Sequence, residues 1–199
     1  MITDRRSERI KEVVAKRQGD LTVILENVHD PHNIGAVLRS CDSVGIGEIF
    51  VLLTEDHLTE ERYVGTSSSS GAKKWVDVHF FNDVSKCMKH VKTKYQSIYG
   101  THLDSDSVSL YDLDLSSSCA LMFGNEHDGI SREALKHLDG NFIIPQHGMV
   151  QSLNISVACA VSLYEASRQR MNQGRYSVPF NSSMEAAYAK YVEITRKLR

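Results

Sequence analysis

No stretch of the 199 residues approaches the roughly 20 consecutive apolar residues that a membrane-spanning helix requires, so no span is expected. The opening segment, MITDRRSERIKEVVAKRQ, carries charge throughout and lacks the apolar core of a secretory signal. Cysteine is scarce. Cys41, Cys87, Cys119 and Cys159 stand far apart and form no CxxC pair, which argues against a disulfide framework or a zinc ribbon. A reducing, cytoplasmic setting is expected. Several chemical signatures are missing as well: no GxSxG elbow, no HExxH helix and no P-loop lysine occurs. Gly45-Ile46-Gly47 follows a helical pattern rather than a strand and has no third glycine at the right offset. It is therefore no dinucleotide-binding turn, and Gly45 reads as the end of a helix. His29, His32, His127 and His147, with Glu126 and Asp128, fall in loops without fixed ligand spacing, so no metal is expected.

What is present is an ordinary globular composition, 41% hydrophobic and 24% charged, in a chain long enough for one well-buried domain plus short appendages. The net charge of −2 conceals an uneven distribution. Residues 4–17 carry six basic and three acidic side chains, and residues 165–199 seven basic and three acidic, which leaves the middle at about −9. Basic ends of this kind are either solvated helix faces or patches that attract phosphates, and spacing alone leaves both readings open.

Hydrophobic periodicity divides the chain into alternating elements. A helix is predicted over 4–17, with Ile10, Val13 and Val14 as its apolar stripe. Strands are predicted at 21–25 (LTVIL), 48–53, 95–100, 119–123 (CALMF) and 141–144, and helices at 33–44, 83–94, 131–138 and 152–171. These strands are continuously apolar rather than alternating, the pattern of a parallel sheet covered on both faces. Residues 67–71 (SSSSG) read as a Ser-rich loop. Residues 173–182 read as a linker. A Ser182/Glu185 capping box then opens a last helix whose stripe of Met184, Ala187, Tyr188, Tyr191, Ile194 and Leu198 must pack on the body or on another subunit.

Three loops gather polar and glycine residues where strands end and helices begin: Asn27–Ser40 (NVHDPHNIGAVLRS), Phe123–Ser131 (FGNEHDGIS) and Ile144–Ser156 (IPQHGMVQSLNIS). Open α/β sheets bind ligands at such ends, and three loops of this kind in one domain point to a composite site.

In order and spacing these loops resemble the three motifs of the SpoU/TrmH branch of the SPOUT methyltransferases, with GNEHDG matching a G-x-E-x-x-G core and SLN matching the third motif. The match runs over roughly residues 20–170. Lys16–Val23, GAKKW at 71–75, Thr101-His102-Leu103 and Tyr164-Glu165-Ala166 are similar to the tRNA guanosine 2′-O-methyltransferases within that branch, although the C-terminal extension here is brief. The resemblance implies a fold: an α/β, parallel-sheet, Rossmann-like core with a C-terminal deep trefoil knot, plus short helical extensions. It divides into a basic N-terminal extension (1–19), a methyltransferase domain (20–172) and a C-terminal extension (173–199). It also implies a homodimer with the site at the subunit interface, S-adenosyl-L-methionine as methyl donor and tRNA as substrate, guanosine 18 of the D-loop in particular. A related enzyme acting on the anticodon loop or on rRNA, and a catalytically silent knotted RNA-binding protein, are the alternatives.

Carried onto this chain, the resemblance makes Arg39 the central catalytic residue, with Asn33, Glu126, Ser152 and Asn154 around it and Glu126 orienting Arg39. A guanidinium, whose pKa lies above about 12, is a poor base, so Arg39 either shuttles a proton with help or clamps a phosphate. Asn33 and Ser152 could instead be simple helix caps. The donor is expected against Thr101, Gly124, Ile144 and Leu153, with Gly124 allowing close approach of a ligand; Ile144 and Leu153 could equally be core residues. Arg5, Arg6, Arg9, Lys11, Arg168 and Arg170 are expected to hold RNA.

Overall fold

The computed structural model describes residues 2–61, 71–150 and 152–197; most of the Ser-rich loop and Leu198 lie outside them. Seven strands form one parallel sheet: β1 (Leu21–Glu26), β2 (Glu48–Leu52), β3 (Asp77–Phe81), β4 (Ser97–Thr101), β5 (Val108–Ser109), β6 (Cys119–Phe123) and β7 (Gly140–Ile143). Their order is β3-β2-β1-β6-β4-β7-β5. The central strands β1 and β6 are buried along their whole length, β6 as an unbroken apolar run and β1 with Thr22 and Glu26 buried among its apolar residues.

Helices α1 (Asp4–Ala15), α2 (Pro31–Ser43), α3 (Val84–Lys92), α4 (Arg132–Leu135), α5 (Ile155–Asn172) and α6 (Glu185–Lys197) accompany the sheet among the described residues. On one face Val37, Leu38 and Cys41 of α2 and Cys159, Leu163 and Ala166 of α5 pack against Val23, Leu25, Leu121 and Phe123. On the other, Val84, Cys87, Met88 and Val91 of α3 and Ala134 of α4 cover Ile24, Phe50, Ala120 and Met122. Alternate residues of β1 thus serve opposite cores, Leu21, Val23 and Leu25 on one side and Ile24 with the buried Thr22 and Glu26 on the other.

The predicted elements at 95–100 and 131–138 prove shorter or shifted, and two strands carried no readable signal. β3 is an edge strand interrupted by His79, and β5 has only two residues, too few for any periodicity. The last helix starts differently from the expected capping box. Asn181 is the cap, accepting from the Ser183 N–H at 3.0 Å, and a 3-10 turn over Ser182–Met184 precedes α6.

The stripe on α6 finds its partner within the chain. Tyr191 and Val192 pack on Ile10 and Val14 of α1. The Trp75 and Tyr191 rings lie 5.2 Å apart, and the Arg17 guanidinium sits 5.3 Å from the Tyr191 centroid. The two terminal helices are therefore one unit, docked on the sheet through Trp75.

Arg170, expected on an RNA-binding surface, is wholly buried in the last turn of α5. Its guanidinium donates to the carbonyls of Leu115 (3.0 Å) and Ser117 (2.7 Å), to the Gln18 side chain (3.2 Å) and to the Asp20 carboxylate (2.5 Å). Arg175 binds the other oxygen of Asp20. A cation with every donor spent inside the fold is a structural strut, and it is not available to RNA.

Candidate active site

All strands point the same way, so the loops after β1, β2, β4, β6 and β7 meet on one edge of the sheet. The β1–α2 loop begins with Asn27, the only described non-glycine residue at positive φ (+47°). Its amide locks onto Thr54, donating to the hydroxyl and accepting from the N–H, both at 2.8 Å, and so ties the ends of β1 and β2. Asp30 then caps α2, accepting from the His32 N–H at 2.8 Å. Asn33 is thereby released from the capping role that competed with a catalytic one.

Asn33 instead joins the other two loops. Its side-chain N–H2 donates to Glu126 at 2.5 Å, and its oxygen accepts from the Asn154 side chain at 3.1 Å. Asn154, rather than Ser152, caps α5: its carbonyl oxygen accepts from the backbone of Ser156 at 2.8 Å. Glu126 therefore engages Asn33 and not Arg39. The turn carrying Glu126 is held by Asn125, whose oxygen accepts from the N–H groups of His127 and Asp128.

Beside this chain of hydrogen bonds opens a cleft of about 690 Å³ lined by residues of the loops after β4, β6 and β7. Thr101, Gly124, Ile144 and Leu153 all line it, as do Glu126, Ser152 and Asn154. Ile144 is half-buried and Leu153 exposed, so neither is mere core filler. The fold itself also requires Gly124. The space a Cβ would occupy is filled by the chain's own backbone, with the Gly129 carbonyl carbon 1.9 Å away.

Among the described residues, the lining offers apolar walls (Phe123, Phe142, Ile144, Ile155), backbone groups, His102 and one carboxylate, Glu126, but no lysine or arginine. Such a cleft suits an adenosine-sized ligand bearing positive rather than negative charge. A larger concavity of about 850 Å³ lies between α1 and Thr195. It is walled by Arg5, Arg6, Arg9, Glu8 and Glu12 and shares no residue with the cleft.

Arg39 is exposed on α2, does not line the cleft, and makes no hydrogen bond or ion pair with the described residues. Of the remaining basic residues, Arg9 and Lys11 pair with Glu12 and Glu8, and Arg168 makes two 2.8 Å bonds to Glu165. The Arg6 guanidinium lies 5.9 Å from the Trp75 ring centroid. The exposed pairs of Arg9 and Lys11 contribute little, whereas Arg168 holds the buried carboxylate of Glu165. Sequence reasoning missed Asn125 and the Asn27–Thr54 lock; the asparagines themselves were the signal, since this side chain tolerates positive φ and closes turns.

Residues 20–164 match the SpoU rRNA Methylase family. This chain belongs to the SpoU methylases. The tRNA (guanosine(18)-2′-O)-methyltransferase of Thermus thermophilus is 42% identical to it over 177 residues, 89% of each chain. The enzyme of the same name from Escherichia coli is 40% identical over 86% of this chain and 73% of its own. Among solved structures, the A. aeolicus TrmH/SpoU tRNA modifying enzyme superimposes with a TM-score of 0.83 at 32% identity, covering 98% of each chain. The SpoU methyltransferase AviRb from Streptomyces viridochromogenes, solved with AdoMet, matches 78% of this chain and 59% of its own with a TM-score of 0.66 at 26% identity. No described helix of this SpoU methylase is long and apolar enough to cross a membrane.

Proposed function

We propose that this protein transfers a methyl group from S-adenosylmethionine to the 2′-hydroxyl of guanosine 18 in tRNA, as a cytoplasmic homodimer. The observation that carries the reading is the Asn154–Asn33–Glu126 chain of hydrogen bonds. It draws three motif loops to the lip of a cleft whose described lining holds one carboxylate and no lysine or arginine. The tRNA relatives match over most of their length, whereas a 23S rRNA (guanosine-2′-O-)-methyltransferase matched at 35% identity is covered over only 59% of its own. This favours tRNA over rRNA.

When bound, S-adenosylmethionine supplies an electrophilic methyl group on a sulfonium. Thr101, Gly124, Ile144 and Leu153 would hold it, with Glu126 as the carboxylate nearest a positive charge. The chain's own residues must orient the ribose and assist loss of the hydroxyl proton. Asn33 and Asn154 fix the lip of the cleft. Ser152, exposed beside them, is free to bond the incoming ribose. Arg39, a rigid planar fork, clamps a phosphate next to the reacting nucleotide and stabilises charge developing on the 2′-oxygen.

Arg39 stands outside its own chain's cleft, and the homodimer accounts for this: Arg39 of one protomer serves the cleft of the other. Val157, Tyr164 and Met171 recur at seven-residue intervals on α5 and are all exposed, as are Met149 and Val150 in the loop before it. Such a stripe supports a subunit interface along α5. The deep trefoil knot belongs to the same reading and rests on the resemblance of the three loops to the SpoU/TrmH motifs. Arg5 and Arg6 on α1 carry the tRNA-binding surface with Arg9, Lys11 and Arg168, which must first exchange their carboxylate partners. Methylation of an unmodified tRNA pool with labelled donor, followed by mapping of the modified nucleotide, tests the assignment. Label at guanosine 18 upholds it; label confined to the anticodon loop or to rRNA, or no label, overturns it.

A further inference from the structure

The same edge of the sheet carries a second cluster of side chains, outside the donor cleft and unused by the chemistry above. His29 lies in the β1–α2 loop, and Glu55 and His57 lie in the turn after β2. One ligand atom from each falls within 4.8 Å of the other two. Both imidazoles address the same carboxylate oxygen of Glu55: the His29 Nε2 stands 3.2 Å from Oε2 and the His57 Nε2 3.6 Å from it. Their rings meet edge to face at 64°, with centroids 5.5 Å apart, so the nitrogens converge rather than stack.

We infer that His29, Glu55 and His57 form a binding site for a divalent transition-metal ion of the zinc class. In a tetrahedral zinc site with nitrogen and oxygen ligands at about 2.0–2.2 Å, neighbouring ligand atoms are separated by roughly 3.3–3.5 Å. The two nitrogen-to-oxygen separations already bracket that length. Two imidazoles and one carboxylate select zinc, cobalt or nickel over magnesium and calcium, which demand oxygen. The three side chains keep 33%, 31% and 61% of their surface exposed, so an ion reaches them freely and the fourth position stays open to solvent. The His127 ring, 6.2 Å from that of His29, borders the site on the side of the Glu126 turn.

The ion closes the outer end of a connection whose inner end is the Asn27–Thr54 lock. It clamps the loop that starts α2 to the loop after β2, steadying the helix that bears Asn33 and Arg39. The inference stands apart from the methyl-transfer reading, because its ligands lie outside the cleft. Spacing could not reveal it: His29 and His32 invited a local pairing, whereas the partners of His29 come from a different strand end.

The test uses full-length protein without a polyhistidine tag, stripped with chelator and dialysed, then titrated with zinc chloride in a calorimeter and with cobalt(II) in a spectrophotometer. One zinc per chain is expected, with a dissociation constant on the order of 1 µM or lower. Cobalt should give the intense visible bands of four-coordination, and zinc should raise the melting temperature. His57→Ala and Glu55→Gln should each weaken zinc at least about 10-fold and abolish the thermal shift. His32→Ala and His147→Ala, outside the cluster, should change neither. His57 is the most exposed of the three, so its variant should keep the fold, which circular dichroism checks. Absence of stoichiometric binding, or zinc affinity unchanged in folded His57→Ala and Glu55→Gln, overturns the assignment.

Discussion

Replacing Gly124 by alanine would drive a methyl group into the backbone of the turn that carries Glu126. An ideal Cβ there lies 1.9 Å from the Gly129 carbonyl carbon, 2.0 Å from its oxygen and 2.3 Å from the Ile130 nitrogen, whereas real Cβ contacts essentially never fall below 3.0 Å. The obstacles are backbone atoms, which no rotamer change can remove, so the turn must retreat by about 1 Å. Overpacking of this kind costs about 1–3 kcal/mol. Against a total stability of about 5–15 kcal/mol, the chain should remain folded. The cleft should not survive as well. The turn sets Asn125 and Glu126 in its wall, and a displacement near 1 Å at a reacting site costs roughly 100-fold in rate. Gly124→Ala is therefore expected to keep its circular dichroism spectrum, lose donor affinity in calorimetry, and drop about 100-fold in kcat/KM. Gly47→Ala is the control: nothing lies within 4 Å of its added methyl, and it should behave as wild type in all three assays. A folded Gly124→Ala protein with undiminished donor affinity would refute the account of this turn.

Four further outcomes are expected. Arg39→Ala and Glu126→Ala should each abolish methyl transfer as homodimers, yet co-assembled chains should regain part of the activity, since one cleft then meets an intact arginine; no recovery in verified mixed dimers would place the site within a single chain. Arg5→Gln and Arg6→Gln together should raise the KM for tRNA and flatten the logarithmic salt dependence of binding by about 0.7–0.9 per lost phosphate contact, and an unchanged slope counts against α1 as an RNA surface. Arg170→Ala should cost about 2–5 kcal/mol by leaving the buried Leu115 and Ser117 carbonyls and the Gln18 side chain without their donor, Asp20 keeping Arg175, while Arg9→Ala, whose pair with Glu12 is exposed on both sides, should cost about 1 kcal/mol or less; equal denaturation midpoints would contradict the buried strut. Burial raises the Glu26 carboxyl above its ordinary 4.5, against hydrogen bonds from Ser131 that lower it, so the folded chain holds a proton that the unfolded chain has released; stability should fall as pH rises from 4.5 through the folded value, and Glu26→Gln should remove that fall, which denaturant titration across the window would reveal.

Much of this architecture was legible in the chain itself. Strands buried on both faces show as unbroken apolar runs, so β1, β2 and β6 were readable, and with them the parallel sheet. Polar, glycine-bearing loops after such strands mark the ligand-binding edge, and the four expected donor residues do share one cleft. What could not be read were relations between residues far apart in sequence. Whether Asn33 capped a helix or served the site depended on Glu126, 93 residues away, and on Asn154, 121 away. A basic stripe on a helix reads the same whether an arginine faces solvent, as Arg168 does, or is swallowed like Arg170. The partners of His29 likewise come from a neighbouring strand end rather than from its own loop. Periodicity reports how each segment meets the core, because burial follows from local pattern. Which loop tips meet is decided by strand order, and the placing of β6 and β4 between β1 and β7 is a property of the assembled sheet alone.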